Sequence, residues 1–77
     1  MTQHSDIELD LSGMTCPMPL LKTKQALNRS EPGSIIKVIA TDPASERDFK
    51  VFSEQSGVRL LSSEKSADKF IYRLQKP

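Results

Sequence analysis

The chain has 77 residues, one cysteine and a formal net charge of +1, and 36% of its residues are hydrophobic. That length makes one small domain, with no room for a separate substrate domain or a large enclosed cavity, and that hydrophobic content is too high for a disordered chain. Near-neutrality and scattered lysines and arginines exclude a global electrostatic case for nucleic acid, one cysteine excludes an internal disulfide framework, and no apolar run approaches the roughly 20 residues of a membrane-spanning helix.

Residues 1–6 are polar and lack a Lys or Arg ahead of an apolar stretch, so they read as a flexible tail and not as a signal peptide. His4 belongs to that tail and is read as neither ligand nor base. Residues 7–77 make the single domain. Ile7, Leu9 and Leu11 alternate with Glu8, Asp10 and Ser12, the period of a half-buried strand. Gly13 then allows a backbone conformation denied to other residues.

Cys16-Pro17-Met18-Pro19 follows, directly before a helical pattern. The first N–H groups of a helix have no intrahelical partner, so proline loses nothing there. The spacing predicts Cys16 at the N-cap, Pro17 at N1 and Pro19 at N3. The sulfur then stands beside the free N–H of Met18 and at the positive end of the helix dipole, which favours a thiolate. A nucleophilic, solvent-reachable and unusually acidic thiol is the expectation.

The helix runs to about Arg29, with Leu20, Thr23 and Leu27 on one face, Leu21 and Ala26 on its flanks, and Lys22, Gln25 and Asn28 toward water. Lys24 covers apolar surface with its stem. Ser30-Glu31-Pro32-Gly33 turns the chain, and residues 34–41 are β-branched enough for an inner strand. After the Asp42-Pro43-Ala44 turn, the second helix has two rival starts: Ser45 as cap with Asp48 at N3, or Asp42 as cap with Pro43 at N1. Phe49 and Phe52 anchor its core face, with Ser56 in line and Ser53 beside them, and Gly57 stops it. Residues 58–63 begin a third strand, Ser66-Ala67-Asp68 is turn material, and residues 69–76 make a fourth strand with Phe70, Tyr72 and Leu74 on one face. The order β-α-β-α-β-β predicts an α/β two-layer sandwich, a four-stranded sheet with two helices packed on one face.

A single activated sulfur has three plausible roles: relay of a sulfur atom as a persulfide, nucleophilic catalysis, or regulatory mixed disulfides. Pro19 occupies the place where a Cys-x-x-Cys pair would have its second thiol, so the site is not a dithiol redox motif. Acyl transfer wants a nearby base, and the one histidine lies in the tail. One Cys and one tail His supply no tetrahedral metal set, and a relay requires no cofactor. The alternative is a non-transferring regulatory or interaction module with a structural or redox-sensing Cys16. An exposed reactive thiol favours the reducing cytoplasm.

The segment from Leu9 to Leu27, with Gly13 and Cys16-Pro17-Met18-Pro19 at its centre, resembles the opening of the TusA/SirA-like family of small sulfur-carrier proteins. Thr41-Asp42-Pro43-Ala44-Ser45-Glu46-Arg47-Asp48 resembles the second motif of that family, and the likeness covers nearly all of Ile7 to Lys76. The resemblance implies a mixed sheet whose last strand is antiparallel to the others and lies between the second and third. It implies Cys16 as the carrier cysteine, loaded as a transient persulfide by a cysteine desulfurase or rhodanese-like donor and unloaded to a downstream acceptor protein. The implied pathways are tRNA thiolation, cofactor biosynthesis or sulfur oxidation, by a carrier and not a stand-alone multiple-turnover enzyme, without direct nucleic-acid or membrane binding. Some members carry another cysteine in the second helix, where this chain has Phe52-Ser53, which argues against a two-thiol cycle. Lys22-Thr23-Lys24 resembles members outside the best-known tRNA branch. Gly13, Pro17, Pro19, Asp42 and Asp48 are the expected supports of the motif, and Met18, Lys22, Lys24 and Arg47 the candidate partner contacts.

Overall fold

The computed structural model describes residues 6–77. Strand β1 spans Asp6–Leu11, helix α1 Met18–Arg29, strand β2 Ile35–Ala40, helix α2 Ser45–Ser56, strand β3 Arg59–Ser66 and strand β4 Lys69–Gln75. The alternating apolar residues of β1 and β2 pair in parallel, so Ile7, Leu9 and Leu11 stand opposite Ile36, Val38 and Ala40. β4 is antiparallel to β2 and to β3 and lies between them, giving the order β1-β2-β4-β3. The two-layer sandwich and the strand order implied by the family resemblance are both present.

Several boundaries differ from the reading of the sequence, and Ser34, Thr41, Val58 and Lys76 fall just outside the strands assigned to them. Asp6, assigned to the tail, already pairs with Ile35; the rest of that tail, with His4, lies outside the described residues. Ser66, assigned to a turn, pairs with Lys69, because the two residues Ala67 and Asp68 suffice to close the β3–β4 hairpin. Pro17 is the N-cap of α1 and Pro19 its second residue, one position earlier in the helix than expected for each. The cause is a turn ahead of the helix: the Met18 N–H is taken by the Thr15 carbonyl at 2.9 Å, and the first intrahelical bond runs from Leu21 N–H to the Pro17 carbonyl at 3.1 Å. Proline still sacrifices no helical hydrogen bond at either position.

One face of the sheet carries the core. Ile36, Val38, Phe49, Tyr72 and Leu74 are fully buried, joined by Leu11, Leu27, Ala40, Val58 and Phe70. Each large side chain so buried is worth about 1.5–3 kcal/mol by transfer from water. α1 contributes Pro19, Thr23 and Leu27, and Thr23 turns its hydroxyl back onto the Pro19 carbonyl at 2.8 Å, so its burial leaves no orphan donor. Leu20 and Ala26 are half-buried, and Leu21 stays exposed on the flank. α2 contributes Phe49, which stacks on Tyr72 with ring centroids 4.6 Å apart; Phe52 is only half-buried, at the margin of the core. The opposite face of the sheet bears exposed ion pairs, Glu8 with Lys37 and Glu64 with Arg73, which contribute little to stability.

Neither rival start for α2 is the one observed: Ala44 is the N-cap, without a side-chain hydrogen bond, and Asp42 shapes the turn ahead of it. Asp42 Oδ1 accepts the Ala44 N–H at 3.2 Å, and the Asp42 carbonyl accepts the Ser45 N–H. Ser45 does not cap; it is buried, and its hydroxyl lies 2.8 Å from the Tyr72 hydroxyl. Gly57 ends the helix with φ of 82°, a left-handed conformation that suits glycine, and its N–H reaches the Ser53 carbonyl.

The parallel pairing of β1 and β2 has a positional consequence. Both strands finish at the same sheet edge, so the loops leading into α1 and α2 meet there, and both helices begin beside each other.

The Ser45–Tyr72 contact yields a stability test. Tyr72→Phe strands a buried hydroxyl and should cost about 1–3 kcal/mol in urea unfolding. Adding Ser45→Ala removes the orphan, so the double variant should be more stable than Tyr72→Phe alone.

Candidate functional site

The site is built where the two loops meet. Gly13 has φ of 84°, the left-handed region, and a Cβ there would meet nothing within 4 Å, so conformation and not space requires glycine. Its N–H donates to Thr41 Oγ1 at 2.9 Å. Three residues on, the Cys16 N–H donates to Asp42 Oδ2 at 2.7 Å. The β1–α1 loop is thereby fastened at two points to the end of β2. Ser12 adds a local brace, its N–H and hydroxyl both donating to Asp10 Oδ1, and these bonds lower the Asp10 carboxyl below its ordinary value.

Cys16 is exposed and stands just before the N-cap Pro17, to which it is joined by a cis peptide bond. Its thiol does not meet the Met18 N–H, which the Thr15 carbonyl already occupies. It donates instead to Asp48 Oδ2 at 3.1 Å, across 32 residues of sequence. This bond raises the thiol above its ordinary value, aided by reduced hydration and by the charges of Asp48 and Asp42; Arg47 opposes them. The direction is opposite to the expectation of an unusually acidic thiol. A carboxylate at hydrogen-bond distance favours the neutral thiol, and the helix N–H nearest the sulfur is already engaged. Asp48 in turn caps no orphan N–H, contrary to what its sequence spacing from Ser45 had suggested.

The other sequence-derived candidates divide into two groups. Asp42 and Asp48 converge on Cys16 and Gly13 fastens its loop to Thr41, while Pro17 and Pro19 shape the helix start, Pro17 exposed and Pro19 buried. Met18 is 41% exposed next to the sulfur. Lys24 holds its ammonium 5.4 Å from the centre of the Phe52 ring, in keeping with a stem laid over apolar surface. With Leu20, Arg47, Asp48 and Val51, Lys24 also borders a hollow of about 180 Å³ between the two helices. Lys22 is exposed on α1 and borders no part of this hollow. Thr41 was missed as a site residue; its position directly before Asp42 in the second motif was the available signal. Among the described residues there is no cluster of His, Cys, Asp and Glu able to hold a metal ion, and no helix is long and apolar enough to cross a membrane.

A two-layer α/β domain that displays one hydrogen-bonded thiol at the junction of its first strand and first helix is a scaffold for chemistry on that sulfur. The chain belongs to the TusA sulfurtransferase family, whose model matches residues 7–76. It is 44% identical over 71 residues to the sulfur carrier protein TusA of Allochromatium vinosum, covering 92% of this chain and 93% of that one. With the sulfur carrier protein TusA of Pseudomonas aeruginosa it shares 34% identity over 76 residues, covering 99% and 96%. The fold is also that of the crystal structure of the SirA-like protein from Desulfitobacterium hafniense, with a TM-score of 0.77 at 24% identity over 90% of this chain and 95% of that one.

The thiol should titrate late. Alkylation rate against pH in the folded protein is expected to show a midpoint above the value of about 8.5 for free cysteine. The same titration in denaturant should return to the free value, because the carboxylates reach the sulfur only through the fold.

Proposed function

We propose that this chain is a sulfur carrier that holds the transferable sulfur on Cys16 as a persulfide. Membership of the TusA family carries the reading, and the exposure of its single cysteine supports it. Cys16 attacks the terminal sulfur of a persulfide on a donor protein, a new S–S bond forms at Sγ, and the donor cysteine leaves as the old S–S bond breaks. An acceptor thiol or activated acceptor atom then takes the terminal sulfur. No second thiol exists in the chain to resolve the persulfide, so release depends on the acceptor. The donor is a cysteine desulfurase or rhodanese-like protein, met in a reducing cytoplasm. The acceptor belongs to tRNA thiolation, cofactor biosynthesis or sulfur oxidation.

Gly13, Pro17, Pro19 and Asp42 serve this reading by fixing the loop that presents the sulfur. Met18, Lys22, Lys24 and Arg47 are its contacts for donor and acceptor in this reading. The sulfur is handed over at an open surface, so the partner completes the site.

Incubation with a sulfur-loaded desulfurase or rhodanese-like donor should add one sulfur to the intact protein by mass spectrometry, removable by a reductant. Cys16→Ser should fold and stay unloaded. Wild-type protein left unmodified by several competent donors would favour the regulatory-module reading.

Charge reversal at Lys24 or Arg47 should slow loading by a protein donor, and added salt should slow the wild type, with little change in stability because these are exposed charges. Stopped-flow rates over a salt series measure both effects.

A further inference from the structure

Asp48 has a relation to the sulfur that helix formation does not require. Its own N–H is engaged by the Ala44 carbonyl, and α2 is entered without any side-chain cap. Asp48 is half-buried, its Oδ2 accepts the Cys16 thiol at 3.1 Å, and the residue also lines the hollow between the helices. A nucleophile with a carboxylate already at hydrogen-bond distance meets the geometric criterion for a proton-transfer pair. The charged groups facing the pair are Asp42 from the β2–α2 turn, Arg47 from α2 and Lys24 from α1.

We infer that Asp48 is a catalytic residue of the sulfur transfer, the group that takes the proton from Cys16 as its sulfur attacks and returns it to the departing donor thiolate. The inference rests on the carrier reading above. The nucleophile in such an exchange is the thiolate, yet the resting sulfur is held as the thiol by its bond to Asp48. Proton transfer along the existing hydrogen bond supplies the anion at the moment of attack. With a donor R–S–S–H, the Cys16 proton passes to Asp48 Oδ2, and the Sγ electron pair forms a bond to the terminal sulfur. The R–S to terminal-sulfur bond breaks with its electron pair on R–S⁻, which then takes the proton from Asp48. The sum is Cys16–SH plus R–S–SH giving Cys16–S–SH plus R–SH, with Asp48 again ionised and no outside oxidant or reductant.

This role separates two reactivities that normally rise together. Asp48→Asn keeps the shape and a hydrogen-bond acceptor but removes the negative charge and the base. The Asn variant should be alkylated by iodoacetamide faster than wild type at pH 6–7, because its thiol is freer to ionise. Loading by glutathione persulfide at pH 6, followed by quenched-flow mass spectrometry, should nevertheless be at least about tenfold slower than in wild type. The deficit should shrink as pH rises and thiolate becomes available without a base, and Asp48→Glu should restore part of the rate at pH 6. Using one donor for all proteins cancels the donor's own titration from the ratio. Asp48→Ser is read in the same way if the Asn variant fails to fold by urea titration. A base-less variant that loads as fast as wild type or faster at pH 6 overturns the inference and leaves the carrier reading intact. Wild-type protein that never loads overturns both.

Discussion

Asp42 divides one carboxylate between two loops, and the site depends on that division. Oδ1 receives the Ala44 N–H and shapes the entry to α2, while Oδ2 receives the Cys16 N–H and holds the entry to α1. Charge-assisted bonds of this kind are stronger than neutral ones, and both oxygens are used. Thr41 doubles the fastening through Gly13. Parallel pairing of β1 with β2 brings the loops into range; the Asp42 carboxylate sets their separation, and with it the distance from the Cys16 sulfur to α2.

Most of the scaffold was legible in the sequence because it follows from short periods. The alternation of Ile7, Leu9 and Leu11, the helical spacing of Leu20, Thr23 and Leu27, and the period of Phe70, Tyr72 and Leu74 each record which side of an element meets the core. Strand order is not written in such local patterns, and it came from the family resemblance. The site was half legible. Gly13 and the two prolines announce a junction by their backbone limits alone, so their positions could be read without knowing what lies opposite.

What stands opposite the sulfur could not be read in that way. Helix-end arguments see only the N–H groups local to Cys16, and these predicted a stabilised anion. The Thr15 carbonyl intercepted the nearest N–H, and a carboxylate 32 residues away accepted the thiol's hydrogen bond. The spacing of Ser45 and Asp48 imitates a capping box, whereas the fold sends Ser45 inward to Tyr72 and Asp48 outward to the sulfur. A local motif and a long-range contact competed for the same two side chains, and the long-range contact prevailed. Fold and site thus differ in how they are encoded: the first in repeating neighbours, the second in single pairs.

The contacts to Cys16 span 26 and 32 residues, and they have a consequence for the chain as it is made. Synthesis proceeds from the N-terminus, so β1, the cysteine and α1 exist before Asp42 and Asp48 have been added. Until α2 is in place, the sulfur is an ordinary thiol open to any passing electrophile or disulfide. The completed fold leaves the sulfur exposed but sets a carboxylate against its proton, so the reactivity of Cys16 depends on residues that are made well after it.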